Sequence, residues 1–486
     1  MSGFNRLIKN SIANIINGFS NVILGIVISP FLLHRLPVID FSIWSLALQA
    51  GILIGIIGFG LQVTVGRFVA LHVSDIGQIK KIILNSQLFA AFLAIITLFV
   101  VILIDFSFLK IFTDIPQSYA EQARLTMLLI CGSFIINNLC SSYIGYFIGL
   151  ERNDITAVLN VFFKTILGVG VVLTAKYGIL TMAVTYFIIN VINQLALFIL
   201  YKNKTADAMV KVVRDYQLIR NIAYFYAGLL IWNVAQFLIS GIGTFTVGKF
   251  SFNELAEFAV IMTLVNAVVG VVGAISNPII QPIIRLHTAG RANCVEKLVT
   301  MLSAAFALTI FIGVTTSSYL AIYILRIWLG HDISAGLDIT FTALLATYLI
   351  RMIAAPYGMM LVAYGKQLSI SHLPLLEGLL NFLLSIYFVR QYGAIGIAYS
   401  TAISGISLMS YYAVKFFRES ETKPKEVFAS FICIPLLMAL FIFYLRTVSN
   451  TYSLISIYII QIVLVVIFSC CIIMLAKKIK LLLNTL

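Results

Sequence analysis

The chain has 486 residues, of which 61% are hydrophobic and 10% charged, with 32 Lys+Arg against 18 Asp+Glu. A water-soluble domain carries about 25% charged residues, so this chain cannot cover a water-facing surface, and its mean hydropathy of +1.06 places it in a membrane. The 36 Phe, the absence of a glycine period and the scattered Cys exclude disordered, collagen-like and disulfide-stapled classes. A pI near 9.4 would fit nucleic-acid binding only with Lys and Arg gathered on a soluble face. Here the basic residues punctuate long apolar runs, and no nucleic-acid partner is expected.

A bilayer core needs about 20 apolar residues per helix. In chain order, Arg6 and Lys9 precede a first span at 12–33, along which Asn10, Asn14, Asn17 and Asn21 step by 4, 3 and 4 and so share a face. Its length and the lack of a small-x-small cleavage site make it a retained helix rather than a signal peptide. The second span, 42–66, carries a ladder of Gly51, Gly55, Gly58, Gln62 and Gly66. Spans follow at 85–104, 122–148, 155–175 and 178–200, and the longest outward connection is 105–121. A connector at 201–220 sets Met209, Val212, Val213 and Tyr216 at i, i+3, i+4 and i+7, the pattern of an interfacial amphipathic helix. Further spans fall at 221–248, 256–283, 298–325, 339–364, 369–389, 394–414, 428–446 and 453–475. The total is about fourteen, an all-α polytopic membrane protein with no segment long enough to form a soluble domain.

Orientation follows from the Lys/Arg bias of short loops. With the N-terminus cytoplasmic, 22 basic residues lie on the inner side, 7 on the outer side, and Arg124, Lys164 and Arg351 within spans. An even helix count puts both termini inside. The acids divide into nine inside, eight outside and Glu377 within a span, so the net +14 is +13 at the inner rim, −1 outside and +2 in the membrane.

An internal repeat appears at a shift of 215 residues. Leu71-His72 recurs as Leu286-His287, Tyr177-Gly178 as Tyr392-Gly393, and the ladder of the second span as Asn266, Gly270, Gly273, Asn277 and Gln281 at the same 4-3-4-4 spacing. Six helices per repeat is an even number, which makes the repeats parallel about an axis along the membrane normal. The expected organisation is a six-helix bundle at 1–215, including the inner connector 201–215, a second at 216–420, and two extra helices with a basic tail at 421–486.

Polar groups within these spans are the candidate site. Asn21 on the first helix, Gln62 on the second, Asn233 and Gln236 on the seventh and Asn277 on the eighth form repeat-related stripes. Such stripes either line a hydrophilic cavity or let helices pack closely and hydrogen-bond; their recurrence in both halves favours a cavity. In-span charges usually face a cavity or a partner. Arg351 falls near mid-bilayer, Lys164 is nine residues into its span, and Glu377 lies beyond Pro374 in its own. Glu377 either pairs with Arg351 or Lys164 or acts as a coupling group. Arg124, three residues after Glu121, either joins the cavity or snorkels at the outer rim.

Other chemistry is thin. The five His have no metal-ligand spacing, the six Cys include no CxxC, and no GxxxxGK[ST] loop is present. No catalytic residue, metal site or cofactor is expected, and ATP is not hydrolysed by this chain.

Fourteen helices in a 6+6+2 arrangement, a polar first helix, Gly66-Arg67-Phe68 at the inner rim, Gly149-Leu150-Glu151-Arg152 leaving the fourth helix and Tyr177-Gly178 before the sixth resemble the polysaccharide (Wzx-like) flippases of the MOP exporter superfamily. The resemblance spans the whole chain but rests on soft motifs. It implies a flippase that moves an undecaprenyl-diphosphate-linked oligosaccharide repeat unit across the bacterial inner membrane by alternating access, for O-antigen or another surface polysaccharide. It also implies a cationic central cavity, membrane lipids as surroundings, and a polysaccharide polymerase and chain-length regulator as partners. The sequence departs from drug/cation antiporters of the superfamily in having no acid in its first helix, and from lipid II flippases in having no Arg there. A cation-coupled multidrug exporter is the alternative. A membrane polysaccharide polymerase or ligase fits less well, since its outer loops would need to be larger.

Overall fold

A computed structural model of the chain describes residues 25–73, 75–205, 214–276, 280–330, 336–364, 372–421, 425, 427, 429–437 and 454–484. Among these the fold is all-α, with no strand, and ten helices are long and apolar enough to cross a membrane. The first span is described from residue 25, as α1 (25–35), so Asn21 lies outside the described residues, as do Met209, Val212 and Val213 of the connector and Asn277.

The helices that follow are α2 (Val38–Ala70), α3 (Ile76–Ile111), α4 (Ala120–Gly149), α5 (Asn153–Thr174), α6 (Ile179–Lys204), α7 (Tyr216–Ser240), α8 (Ile242–Phe250) and α9 (Leu255–Ser276). Then come α10 (Ile280–Thr288), α11 (Ala292–Leu329), α12 (Leu337–Ile350), α13 (Ala355–Ala363), α14 (His372–Tyr392), α15 (Gly396–Glu419) and α16 (Leu454–Asn484). Local chemistry sets the ends. The Asp75 carboxylate accepts from Gln78 N–H at 3.0 Å and caps α3, and Asp215 accepts from Leu218 N–H at 3.0 Å and caps α7. Gly178 (φ +95°) and Gly393 (φ +68°), at the two sharp reversals α5–α6 and α14–α15, take backbone angles that side-chain-bearing residues resist.

Several expected boundaries shift. The span expected at 221–248 is two helices, α7 and α8, separated at Gly241. The third helix runs to Ile111, so the outer connection is shorter than 105–121 and Asp105 is helical. The carboxylate stays in the helix because Arg124, on the neighbouring α4, pairs with it. The span at 339–364 is not one α-helix but α12 and α13 joined by a 3-10 turn over Arg351–Ala354.

The chain divides into two compact units, Met1–Leu264 and Val265–Leu486. The centre of the first is α2 lying along α4, and the glycine ladder is the reason they can approach. A Cβ on Gly58 would fall 3.0 Å from the Asn138 Cα, one on Gly145 would fall 2.7 Å from the Gln62 carbonyl, and one on Gly149 would fall 2.6 Å from the Gly66 carbonyl. The second unit is built on the α14–α15 hairpin, with α12 and α11 beside it; Phe468 of α16 meets Phe311 of α11 edge-on at 5.0 Å.

Candidate functional site

The polar centre of the second unit begins at the 3-10 turn. Arg351 opens it, and its guanidinium makes an ion pair with Glu377 of α14, the two side chains being 18% and 3% exposed. Gly405 of α15 lets the arginine stem pass: a Cβ there would sit 2.9 Å from the Arg351 Cγ. One helical turn along α14, the Asn381 Oδ1 accepts from Thr401 at 3.3 Å and from Ser404 at 3.5 Å, and beyond it Ser385 and Ser400 share a hydrogen bond of 2.8 Å. Of the two partners open to Glu377, the structure places Arg351 against it.

Asn381, Thr401 and Ser404 were not singled out in the sequence. Their signal is spacing: Glu377, Asn381 and Ser385 recur at four residues and so share one face of α14.

In the first unit, Arg124 binds the Asp105 carboxylate with both Nε, at 3.0 Å, and Nη2, at 2.5 Å. It is 45% exposed, a pair at the helix ends open to solvent rather than a charge facing an interior. Lys164 behaves differently. It is half-buried on α5, on the face where Ala157, Gly168 and Val171 are buried, and among the described residues it makes no ion pair or hydrogen bond. Gln62 is half-buried. Asn233 is half-buried with its Nδ2 enclosed and unpartnered, and that atom lies 3.7 Å from where a Gly60 Cβ would be. Gln236 is exposed, its carbonyl accepting from Ser240 at 2.8 Å. Asn233 of α7 is thus brought against α2.

The ladder glycines themselves are not cavity lining. Gly51 and Gly55 face the Phe134 ring, and Gly58 faces Asn138, whose Nδ2 donates to the Ile54 carbonyl at 2.8 Å. A second amide contact, Gln194 Nε2 to Asn137 Oδ1 at 2.8 Å, ties α6 to α4. In the first unit, therefore, the small residues of that stripe are a packing interface, because a backbone without Cβ atoms is what lets two helices meet this closely.

This placement changes the charge argument. The +2 counted from sequence already includes Glu377, which pairs with Arg351; it shrinks once the helix takes in Asp105 beside Arg124. Lys164 is left as the in-span cation with no carboxylate beside it among the described residues. No group of three or more His, Cys, Asp or Glu suited to a metal occurs among the described residues.

No protein-family model and no curated protein matches the sequence. Solved structures do match. The lipid II flippase MurJ in an inward closed conformation superposes with a TM-score of 0.66 at 15% identity, over 97% of this chain and 98% of that one. An inward-facing multidrug resistance MATE family transporter of the MOP superfamily gives 0.57 at 14% identity, over 85% of this chain and 98% of that one. This chain shares its fold with these transporters. An outward-facing MATE family transporter matches as well, with a TM-score of 0.51 at 14% identity over 90% of this chain and 96% of that one. At such identities the likeness is one of fold, and with the MurJ structure it runs nearly end to end.

Proposed function

We propose that the protein is a non-enzymatic MOP-fold flippase that carries an undecaprenyl-diphosphate-linked oligosaccharide repeat unit across the bacterial inner membrane, for O-antigen or another surface polysaccharide. The observation that carries this reading is the end-to-end fold likeness to a lipid-linked-substrate flippase. Lys164 adds the chemistry: a half-buried ammonium without a carboxylate is a place for an anionic diphosphate, the more so away from bulk water. Amides such as Gln62, Asn233 and Gln236, with Asn21 and Asn277, would meet sugar hydroxyls. The 215-residue repeat supports two six-helix halves, 1–215 and 216–420, working by alternating access, with 421–486 appended. Both termini are assigned to the cytoplasm from the Lys/Arg bias, and a polymerase and chain-length regulator would act on the delivered unit.

The deciding experiment deletes the gene and asks where undecaprenyl-linked repeat units reside. Accumulation facing the cytoplasm, reversed by the wild-type gene, is expected. A deletion strain with normal surface polysaccharide and new sensitivity to cationic drugs would instead establish the second reading, a cation-coupled exporter. That reading draws on the MATE fold likeness and on Glu377, a buried carboxylate available for coupling. Cysteine labelling at Asn21 and Gln236 tests the cavity: reaction with aqueous reagents in at least one state is expected, and failure at both sites would reduce the stripes to packing.

A further inference from the structure

The two halves of the sequence repeat treat the same pair of helices in opposite ways. In the first unit α2 and α4 are unbroken helices of 33 and 30 residues. Their inner ends meet closely, a Cβ on Gly149 falling 2.6 Å from the Gly66 carbonyl and 2.6 Å from the Val69 Cβ. At the 215-residue shift, Gly149 is replaced by Tyr364, and α4 corresponds to α12, the Arg351–Ala354 turn and α13. The counterpart of α2 carries Pro278 and Pro282 where the first copy has Val63 and Arg67. Proline removes an i to i−4 hydrogen bond and crowds the preceding turn, and a 3-10 stretch inside a long helix commonly marks a hinge. Pro356, in the first turn of α13, removes another ladder donor directly after the break.

The bonds on the two sides of this break differ in kind. At the head of the turn the fixing contact is polar: Arg351, directly after α12, reaches across to Glu377. Downstream, the contacts of α13 given by its aromatic residues are ring against ring. Tyr357 lies 5.4 Å from the Tyr412 ring and 5.0 Å from the Phe416 ring, with its buried hydroxyl unpartnered. Tyr364, just past α13, stacks on His287 of α10 with centroids 4.0 Å apart and planes 24° apart. The Tyr357 ring contacts with α15 carry no charge and no hydrogen bond, so less is lost when α13 shifts against α15 than when the Arg351–Glu377 pair opens. The stack joins the inner end of α10 to that of α13, so the two would travel together.

We propose that α10 and α13 form the moving inner segment of the second unit, pivoting at Arg351–Ala354, with the Arg351–Glu377 ion pair as the catch that holds the pivot. The equivalent inner ends of the first unit, locked by Gly66 and Gly149, are the fixed counterpart. This assignment does not depend on the identity of the substrate.

The test uses the full chain in lipid nanodiscs, with its native cysteines replaced by Ala and spin labels at Ala289→Cys and Arg418→Cys in the second unit. Labels at Leu71→Cys and Arg152→Cys report on the first. Wild-type protein should give one dominant distance for each pair. Glu377→Gln should bring out a second population for the 289/418 pair, shifting its ratio by about tenfold or more, as removal of one partner of a buried pair implies, and leave the 71/152 pair unchanged. Pro356→Ala, added to Glu377→Gln, should suppress the new population. Unchanged 289/418 distances in both variants, or equal broadening in both units, would overturn the proposal. Should Glu377→Gln not fold, hydrogen exchange on the wild-type protein decides. Amides of 280–288 and 355–364 should exchange together and faster than those of 337–350 and of the inner ends of α2 and α4, and equal protection would refute the hinge.

Discussion

Lys164 and Arg351 look equivalent in the sequence, as two cations within spans, and their surroundings separate them. Arg351→Ala would strand the Glu377 carboxylate, 3% exposed, without its counter-charge. Losing one member of a buried pair costs about 3–5 kcal/mol, so the amount of folded protein should fall. Replacing both, as Arg351→Met with Glu377→Leu, should restore the amount but not transport. Immunoblotting and size-exclusion of the two variants measure this. Lys164→Ala removes no bond seen in the structure, so folded protein should stay near wild-type levels while translocation drops by about tenfold or more, the effect of removing a desolvated charge from its ligand. Lys164→Arg should retain much of the activity. A Lys164→Ala protein with full activity would remove the residue from the site. Arg124→Ala breaks a pair that is 45% exposed on the arginine side, and solvent screens such exposed pairs, so a small change in melting temperature and unaltered transport are expected.

Asp215 has a pH signature. Its side-chain bond from Lys81 at 2.8 Å, together with the Leu218 amide it caps, holds its carboxyl below the usual 3.8. A depressed carboxylate contributes stability that is complete above the unfolded value and lost as pH falls through the folded one. The start of α7 should therefore remain protected down to about the ordinary carboxylate range and fray only below it. Asp215→Asn should remove that dependence, as read from hydrogen exchange at Leu218 and Ile219.

Among the elements, the α2–α4 pair explains why this chain needs its glycines. Gly149→Ala would drive a methyl into the Gly66 carbonyl and the Val69 side chain, at 2.6 Å from each. Overpacking of this kind costs about 1–3 kcal/mol, and no flexible side chain is there to yield. The same change at Gly273, whose Cβ would meet no atom of the described residues within 4 Å beyond its own helix backbone and chain neighbours, should be tolerated. Thermal unfolding of the two variants in detergent tests the contrast. The ladder was legible in the sequence as a stripe with period 4-3-4-4, but a stripe of small residues reads the same whether it faces water or a neighbouring helix. The neighbour, Phe134 and Asn138 on α4, lies roughly 80 residues away in the chain, and no local pattern announces it. The break at Arg351–Ala354 was hidden for a related reason. Hydropathy measures transfer to lipid and is blind to whether a backbone ladder holds i−4 or i−3 bonds.

For the whole molecule, the sequence by itself determined the class, the approximate spans and the expected orientation, because bilayer thickness and loop charge act on composition and need no tertiary contacts. Reporter fusions at both ends should read cytoplasmic; a periplasmic reading at either would break the charge argument. Only the tertiary structure decided which charges are matched. Arg124 meets Asp105 across 19 residues and Arg351 meets Glu377 across 26, so the in-span surplus that looked like a property of the sequence falls to Lys164. A net charge sums over residues regardless of position, whereas an electrostatic site depends on distance and burial, and those exist only once the helices have packed.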